Sequence, residues 1–237
     1  MRGLVIALGL SLSLCVIVPC SADTIVANDA GATVATAENL TAVRPTEIVG
    51  AFNGDLNDVS IFEIVNRDPV NFSAMTISAG AFGVNDTVLT LFDSNGVGIY
   101  LNDDISGGDT FSCLPSSGAG NPCPTTGVTL PLGIYYLAIS QSENYPLDDM
   151  GNEIFAPQLS TDLAQPLSLN PMAGWDGNSF ASPDTDLVNY DIILTGTVPE
   201  PGTWLLTALG VGLIFVLARQ RPLADGVASG PGSATDR

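Results

Sequence analysis

Short apolar runs separated by turn residues recur along the middle of the chain: "EIVGAF", "VSIFEIV", "VNFSAMTIS", "TVLTLFD", "VGIYL", "IYYLAIS" and "LVNYDIIL". Their length and their content of Val, Ile, Phe and Tyr suit strands rather than helices. In "VNYDIIL", Val188, Tyr190, Ile192 and Leu194 fall on one face and Asn189 and Asp191 on the other. That alternation is the mark of a strand with one buried face, as in a sandwich of two sheets. Asn95-Gly96, between "TVLTLFD" and "VGIYL", predicts a hairpin. Helical periodicity is scarce; "VATAENL" predicts at most a turn or two. The segment from Gln141 to Asp186 is rich in Pro, Gly, Asp and Ser with little strand pattern, so it reads as a long loop, functional or disordered. Trp175 lies within it, and an aromatic there more often anchors a loop onto a sheet than stacks on a sugar. The pattern predicts an all-β chain built as an antiparallel β-sandwich.

The two ends follow different rules. Met1-Arg2, an apolar stretch and the small residues Ser21-Ala22 have the order of a secretory signal peptide, residues 1–22, whose cleavage would also remove Cys15 and Cys20. Near the C-terminus, residues 202–218 carry no charge, and as a helix they would rise about 26 Å, enough to cross a thin bilayer. Arg219 and Arg221 follow directly, and cationic flanks stay on the cytoplasmic side. The expectation is an exported domain at residues 23–196, a single transmembrane helix at 202–218, and a disordered cytoplasmic tail at 222–237.

Val198-Pro199-Glu200-Pro201, the apolar span and the arginine pair, placed after an export signal, together resemble the PEP-CTERM sorting signal of Gram-negative bacteria, here residues 197–221. The resemblance implies that Pro199, Glu200, Pro201, Arg219 and Arg221 form a motif read by an exosortase, a membrane protease. It also implies an inner-membrane-anchored precursor passed on to the cell surface or to the extracellular polysaccharide matrix.

Composition narrows the chemistry. Between residues 23 and 198 there are 22 acidic residues against Arg44 and Arg67, a net charge of −20. Such a field repels nucleic acid and attracts cations, although solubility alone would also account for it. The chain has no histidine and no lysine. Ser-His-Asp and Cys-His catalysis and Schiff-base chemistry are therefore excluded. Carboxylate catalysis is the enzyme class left, and no acid pair is singled out for it. Cys113 and Cys123, in "SCLPSSGAGNPCP", are the cysteines remaining after signal removal; in an oxidising compartment they read as a disulfide. So short a closed loop would stabilise the fold by roughly 3 kcal/mol. The overall reading is a non-enzymatic structural or adhesive surface protein. The alternative is a carbohydrate-binding or carbohydrate-active protein that uses the acidic loop and Trp175, with extracellular polysaccharide as partner.

"NDVSIFEI", "NDTVLTLFDSNGVGIYLNDD" and "PLGIYYLAIS", read in order, resemble the bacterial pre-peptidase C-terminal domain and its relatives over most of residues 27–196. That likeness implies a jelly-roll-like sandwich. Asn28, Asp29, Asp55 and Asp58 resemble the calcium-binding segments of collagen-binding relatives of that fold, with calcium as the implied cofactor. A second set, Asp86, Asp93, Asn102, Asp103 and Asp104, surrounds the Asn95-Gly96 hairpin. Carboxylates and amides converging from loops suit a hard cation. Ordinary turn chemistry, in which Asp and Asn bond to their own backbone, is the favoured reading of this second set.

Overall fold

The computed structural model describes residues 22–27, 30–52, 58–80, 86–105, 109–114, 123, 129–156, 163–177, 188–198 and 210. The chain divides into two units, Met1–Pro199 and Glu200–Arg237, and the strands all belong to the first. Apart from Ala22 and Gly210, the expected signal peptide, tail helix and C-terminal extension lie outside the described residues. Among those described, no helix is long and apolar enough to cross a membrane.

Twelve strands are described: β1 (Asp23–Val26), β2 (Glu38–Asn39), β3 (Pro45–Phe52), β4 (Val59–Asn66), β5 (Ser73–Ile77), β6 (Thr87–Asp93), β7 (Gly98–Asn102), β8 (Cys113–Leu114), β9 (Gly133–Gln141), β10 (Pro146–Asp148), β11 (Met172–Trp175) and β12 (Val188–Thr195). Three sheets result, in the orders β1-β3-β12-β5-β8, β2-β4-β9-β6-β7 and β10-β11. The two five-stranded sheets enclose a core that includes Ile48 and Phe52 of β3, Phe62 and Ile64 of β4, Leu89 and Leu91 of β6, Leu137 and Ile139 of β9, and Tyr190, Ile192 and Leu194 of β12.

Pairing is not antiparallel throughout. The edge strands β1 and β2 run parallel to β3 and β4. Parallel neighbours need a crossover, and the chain supplies one by alternating sheets: β1 and β3 lie in one sheet, β2 and β4 in the other. "VATAENL" forms a short 3₁₀ turn at Val34–Thr36 and then β2.

In the first sheet β12 alternates as predicted. In β12, Tyr190, Ile192 and Leu194 are buried while Asp191 and Ile193 are half-exposed. Tyr190 lies opposite Gly50, where a side-chain carbon would fall inside the tyrosine ring, so only glycine fits. The ring packs 5.0 Å from Phe52 and 6.5 Å from Phe62. Burial pushes its hydroxyl up to about 12, despite a hydrogen bond with Ser60.

The second sheet does not alternate, because both of its faces are covered. Thr87 to Phe92 of β6 are all buried. Leu89 and Leu91 face the other sheet; Val88 and Phe92 face outward, with Val59, Ile61, Leu101 and Ala138. What covers this outer face is the segment expected to be a long loop. Its residues Tyr145, Ile154, Phe155, Ala164, Met172 and Trp175 pack there as a second apolar cluster. The same segment protects the open edge of β7: Leu101 and Ala164 exchange backbone hydrogen bonds of 3.3 and 2.8 Å, and the Met172 N–H donates to the Gly96 carbonyl at 2.9 Å. An unpaired edge strand would otherwise invite aggregation.

Gly98 of β7 makes room for this covering flap. A Cβ there would stand 2.6 Å from Ile154 Cγ2 and 2.7 Å from Phe155 Cζ. Gly98→Val is therefore expected to lower stability by about 1–3 kcal/mol by overpacking. Gly174→Ala, where a methyl meets nothing within 4 Å, is expected to stay within about 0.5 kcal/mol. Thermal melts of the two variants check this contrast.

Candidate functional site

The two acidic sets meet different fates. Asn28, Asp29 and Asp55 of the first lie outside the described residues. Asp58 stands just before β4, where its Oδ1 accepts the Val59 N–H at 2.9 Å. The second set divides along the β6–β7 hairpin. Asp93 is at the turn, where Oδ1 accepts N–H groups from Asn95 at 2.8 Å and Val97 at 2.9 Å. Gly96 closes that turn with a φ of +81°, and its N–H donates to the Asp93 carbonyl. Turn chemistry accounts for Asp93.

At the other end of the hairpin, the strand leaving β7 returns beside the start of β6, since Leu89 pairs with Asn102. Asp103 and Asp104 are thereby brought to Asp86, roughly 23 Å along β6 from Asp93 at 3.3 Å per residue. One carboxylate oxygen from each of Asp86, Asp103 and Asp104 lies within 4.8 Å of those from the other two. Asp86 is exposed, Asp104 half-buried and Asp103 only 5 % exposed.

The loop is held by neighbours rather than by its own acids. Asn102 is buried; its Nδ2 donates to the Asp104 carbonyl at 3.0 Å and its Oδ1 accepts the Cys113 N–H at 2.7 Å. Ser112 Oγ donates to the Asp103 carbonyl at 2.9 Å. It also belongs to a buried hydroxyl chain, with Thr87 Oγ1 at 2.9 Å and Thr76 Oγ1 2.8 Å beyond. That chain joins β5 of one sheet to β6 of the other at the level of the acids. Asn102 therefore orients the loop, a scaffolding role distinct from the ligand role read from its type.

β9 adds the fourth side. Thr87 pairs with Gln141, so Ser142 follows beside Asp86 and its N–H donates to the Asp86 carbonyl at 3.2 Å. Glu143 adopts a φ of +64°, left-handed for a non-glycine residue. Tyr145, the first anchor of the flap, donates its hydroxyl to Asp103 Oδ2 at 3.2 Å. Sequence reasoning missed Ser142, Glu143 and Tyr145, because only the β6–β9 register, with Thr87 opposite Gln141, brings the residues after β9 to Asp86.

All three carboxyls are harder to ionise than usual. Burial pushes Asp103 up to about 7, with Asp104, Asp86 and Glu143 adding repulsion and the Tyr145 hydroxyl opposing. Asp104 is raised by burial and by Asp86 and Asp109. Burial also raises Asp86, against a hydrogen bond from Ser142. No arginine lies between residues 86 and 145 to offset them, and the chain has no lysine. The charged neighbours that shift Asp103 and Asp104 are all acids, so a proton or a bound cation would neutralise the cluster, and hard carboxylate oxygens are what a calcium or magnesium ion takes.

Cys113 and Cys123 form the expected disulfide, with Cα atoms 5.1 Å apart. Trp175 is half-buried against the outer cluster and its indole Nε1–H donates to the Ala32 carbonyl at 2.8 Å, which fits the anchoring role. An open cleft of about 420 Å³ on the first sheet has Asp191 as its one charged lining residue among the described residues. Residues 197–221 match the PEP-CTERM protein-sorting motif, so the chain carries the sorting signal expected from its sequence. No curated protein matches the chain in sequence.

Asp148, in the flap, shows how a fully satisfied acid behaves. Its carboxylate accepts from the Met150 and Asn152 backbone N–H groups at 2.9 Å, from Ser168 Oγ at 2.8 Å and from Asn170 Nδ2 at 3.2 Å. These bonds, that of Asn152 foremost, pull it down to about 2. A depressed carboxyl contributes stability that is complete above its unfolded value near 4 and lost as pH falls through the folded one. The gap in thermal midpoint between the native chain and Asp148→Asn is expected to be widest above pH 4 and to close toward pH 2. A gap independent of pH would show that Asp148 is not the group lost.

Proposed function

We propose that the chain is an exported structural or adhesive protein, delivered by exosortase processing to the cell surface or extracellular matrix. The observation that carries this reading is the PEP-CTERM protein-sorting motif at residues 197–221. It begins two residues after the end of β12, the last described strand. Export supports the disulfide reading, because Cys113–Cys123 would persist in an oxidising compartment. The acidic surface, −20 over residues 23–198, suits a soluble component of a hydrated matrix. In this reading the protein is not an enzyme. With neither histidine nor lysine, its chemistry is that of carboxylates and hydroxyls, and its sheets serve as a scaffold. The two five-stranded sheets support, as a further part of the reading, a sandwich of the pre-peptidase C-terminal type. The inner membrane would hold the precursor through residues 202–218 until cleavage.

Mass spectrometry of the protein from its native cells is expected to find no peptide from the apolar tail in the surface fraction. Recovery of the C-terminal "SATDR" from that fraction would contradict exosortase processing, and Pro199→Ala with Glu200→Ala is expected to retain the full-length chain in the membrane fraction.

A further inference from the structure

We infer that Asp86, Asp103 and Asp104 form a calcium site that ties the covering flap to the second sheet. The inference goes beyond the sorting-based reading and does not rest on it.

Three observations converge. One oxygen from each carboxylate lies within 4.8 Å of the others. Oxygens bound at about 2.3–2.6 Å stand up to about 4.6–5.2 Å apart across a calcium ion, so three oxygens within this span fit inside its shell. Asp103 is 5 % exposed, and while Oδ2 accepts the Tyr145 hydroxyl, Oδ1 has no partner among the described residues. A buried carboxylate oxygen in that position carries a desolvation cost that a bound cation removes. Glu143 and Asp109 add negative charge near Asp103 and Asp104 respectively, and no basic residue lies between residues 68 and 218.

The placement gives the ion a structural task. Its three ligands come from the entry to β6 and the exit of β7. Tyr145, bonded to Asp103, begins the flap, and Ser142, bonded to the Asp86 backbone, directly follows β9. Calcium at this point would join the hairpin, the exit of β9 and the root of the flap.

The test uses the full chain in mild detergent after chelation. Titration calorimetry is expected to find one calcium ion per chain. Calcium at 100 times its dissociation constant is expected to raise the thermal midpoint by about 5–10 °C over sodium chloride of equal ionic strength, with a smaller effect from magnesium. Terbium bound in its place should emit on excitation of tyrosine, because Tyr145 touches Asp103, and calcium should quench that emission by displacement. Asp103→Asn is expected to abolish binding, while Asp149→Asn, an exposed acid of the flap, keeps it. Asp86→Asn alters an exposed position, so the fold should survive, and it is expected to weaken calcium at least tenfold. Equal melting curves in calcium and matched salt would overturn the site, as would unchanged affinity in Asp86→Asn.

Discussion

The sheet β2-β4-β9-β6-β7 has two apolar faces, and the rest of the first unit is arranged to keep both from water. One face carries Phe62, Leu89, Leu91, Leu137 and Ile139 into the inter-sheet core; the other carries Val59, Ile61, Val88, Phe92 and Leu101. Each such side chain is worth about 1.5–3 kcal/mol when fully buried. Leaving the five side chains of the second set exposed would cost about 7–15 kcal/mol, comparable to a domain's whole margin of about 5–15 kcal/mol. The flap is thus a third layer over this sheet. It supplies side chains to the outer face and backbone partners to the edge of β7, and at Gly98 the flap stands where a side-chain carbon would be.

The same geometry concentrates charge. An antiparallel hairpin returns the end of β7 to the start of β6, and β9 on the other side of β6 delivers Ser142 and Glu143 to the same corner. Buried Asn102 and the Thr76–Thr87–Ser112 hydroxyl chain fix the loop from beneath. Asp103 is consequently held almost out of water beside other acids, unlike Asp148, whose oxygens are taken up by N–H and O–H donors. An acid satisfied by donors strengthens a turn, whereas an unsatisfied one beside like charges needs a proton or an ion. The calcium site we infer at this corner would also suit a protein carrying a PEP-CTERM sorting motif.

Much of the scaffold was legible in the sequence. Short apolar runs marked β3, β5 and β12 of the first sheet, alternation marked the face that β12 buries, and Asn95-Gly96 marked the hairpin, whereas β1 and the two-residue β8 were not foreseen. The disulfide followed from two cysteines isolated in an exported segment. The flap was missed because its strands are only three and four residues long, and its apolar residues are spaced irregularly to fit an existing surface. The unbroken apolar run in "TVLTLFD" was the available sign that β6 is buried on both faces. The parallel edge pairs left no local pattern. In the acidic set, residue type could not separate Asp93, a turn former, from Asp86, Asp103 and Asp104, because their convergence depends on strand register.

Hydrogen exchange on the full chain tests most directly whether the flap is an integral layer. The amides of Ile154, Ala164, Leu167 and Met172 donate to backbone carbonyls of Pro146, Leu101, Ile154 and Gly96. If the flap is a third layer, these amides exchange slowly, within about tenfold of those of β4 and β9, because they open only with the sheet they cover. Exchange at the rate of an open peptide, while β4 and β9 stay protected, would show that the flap is a loop lying on a sheet that does not need it.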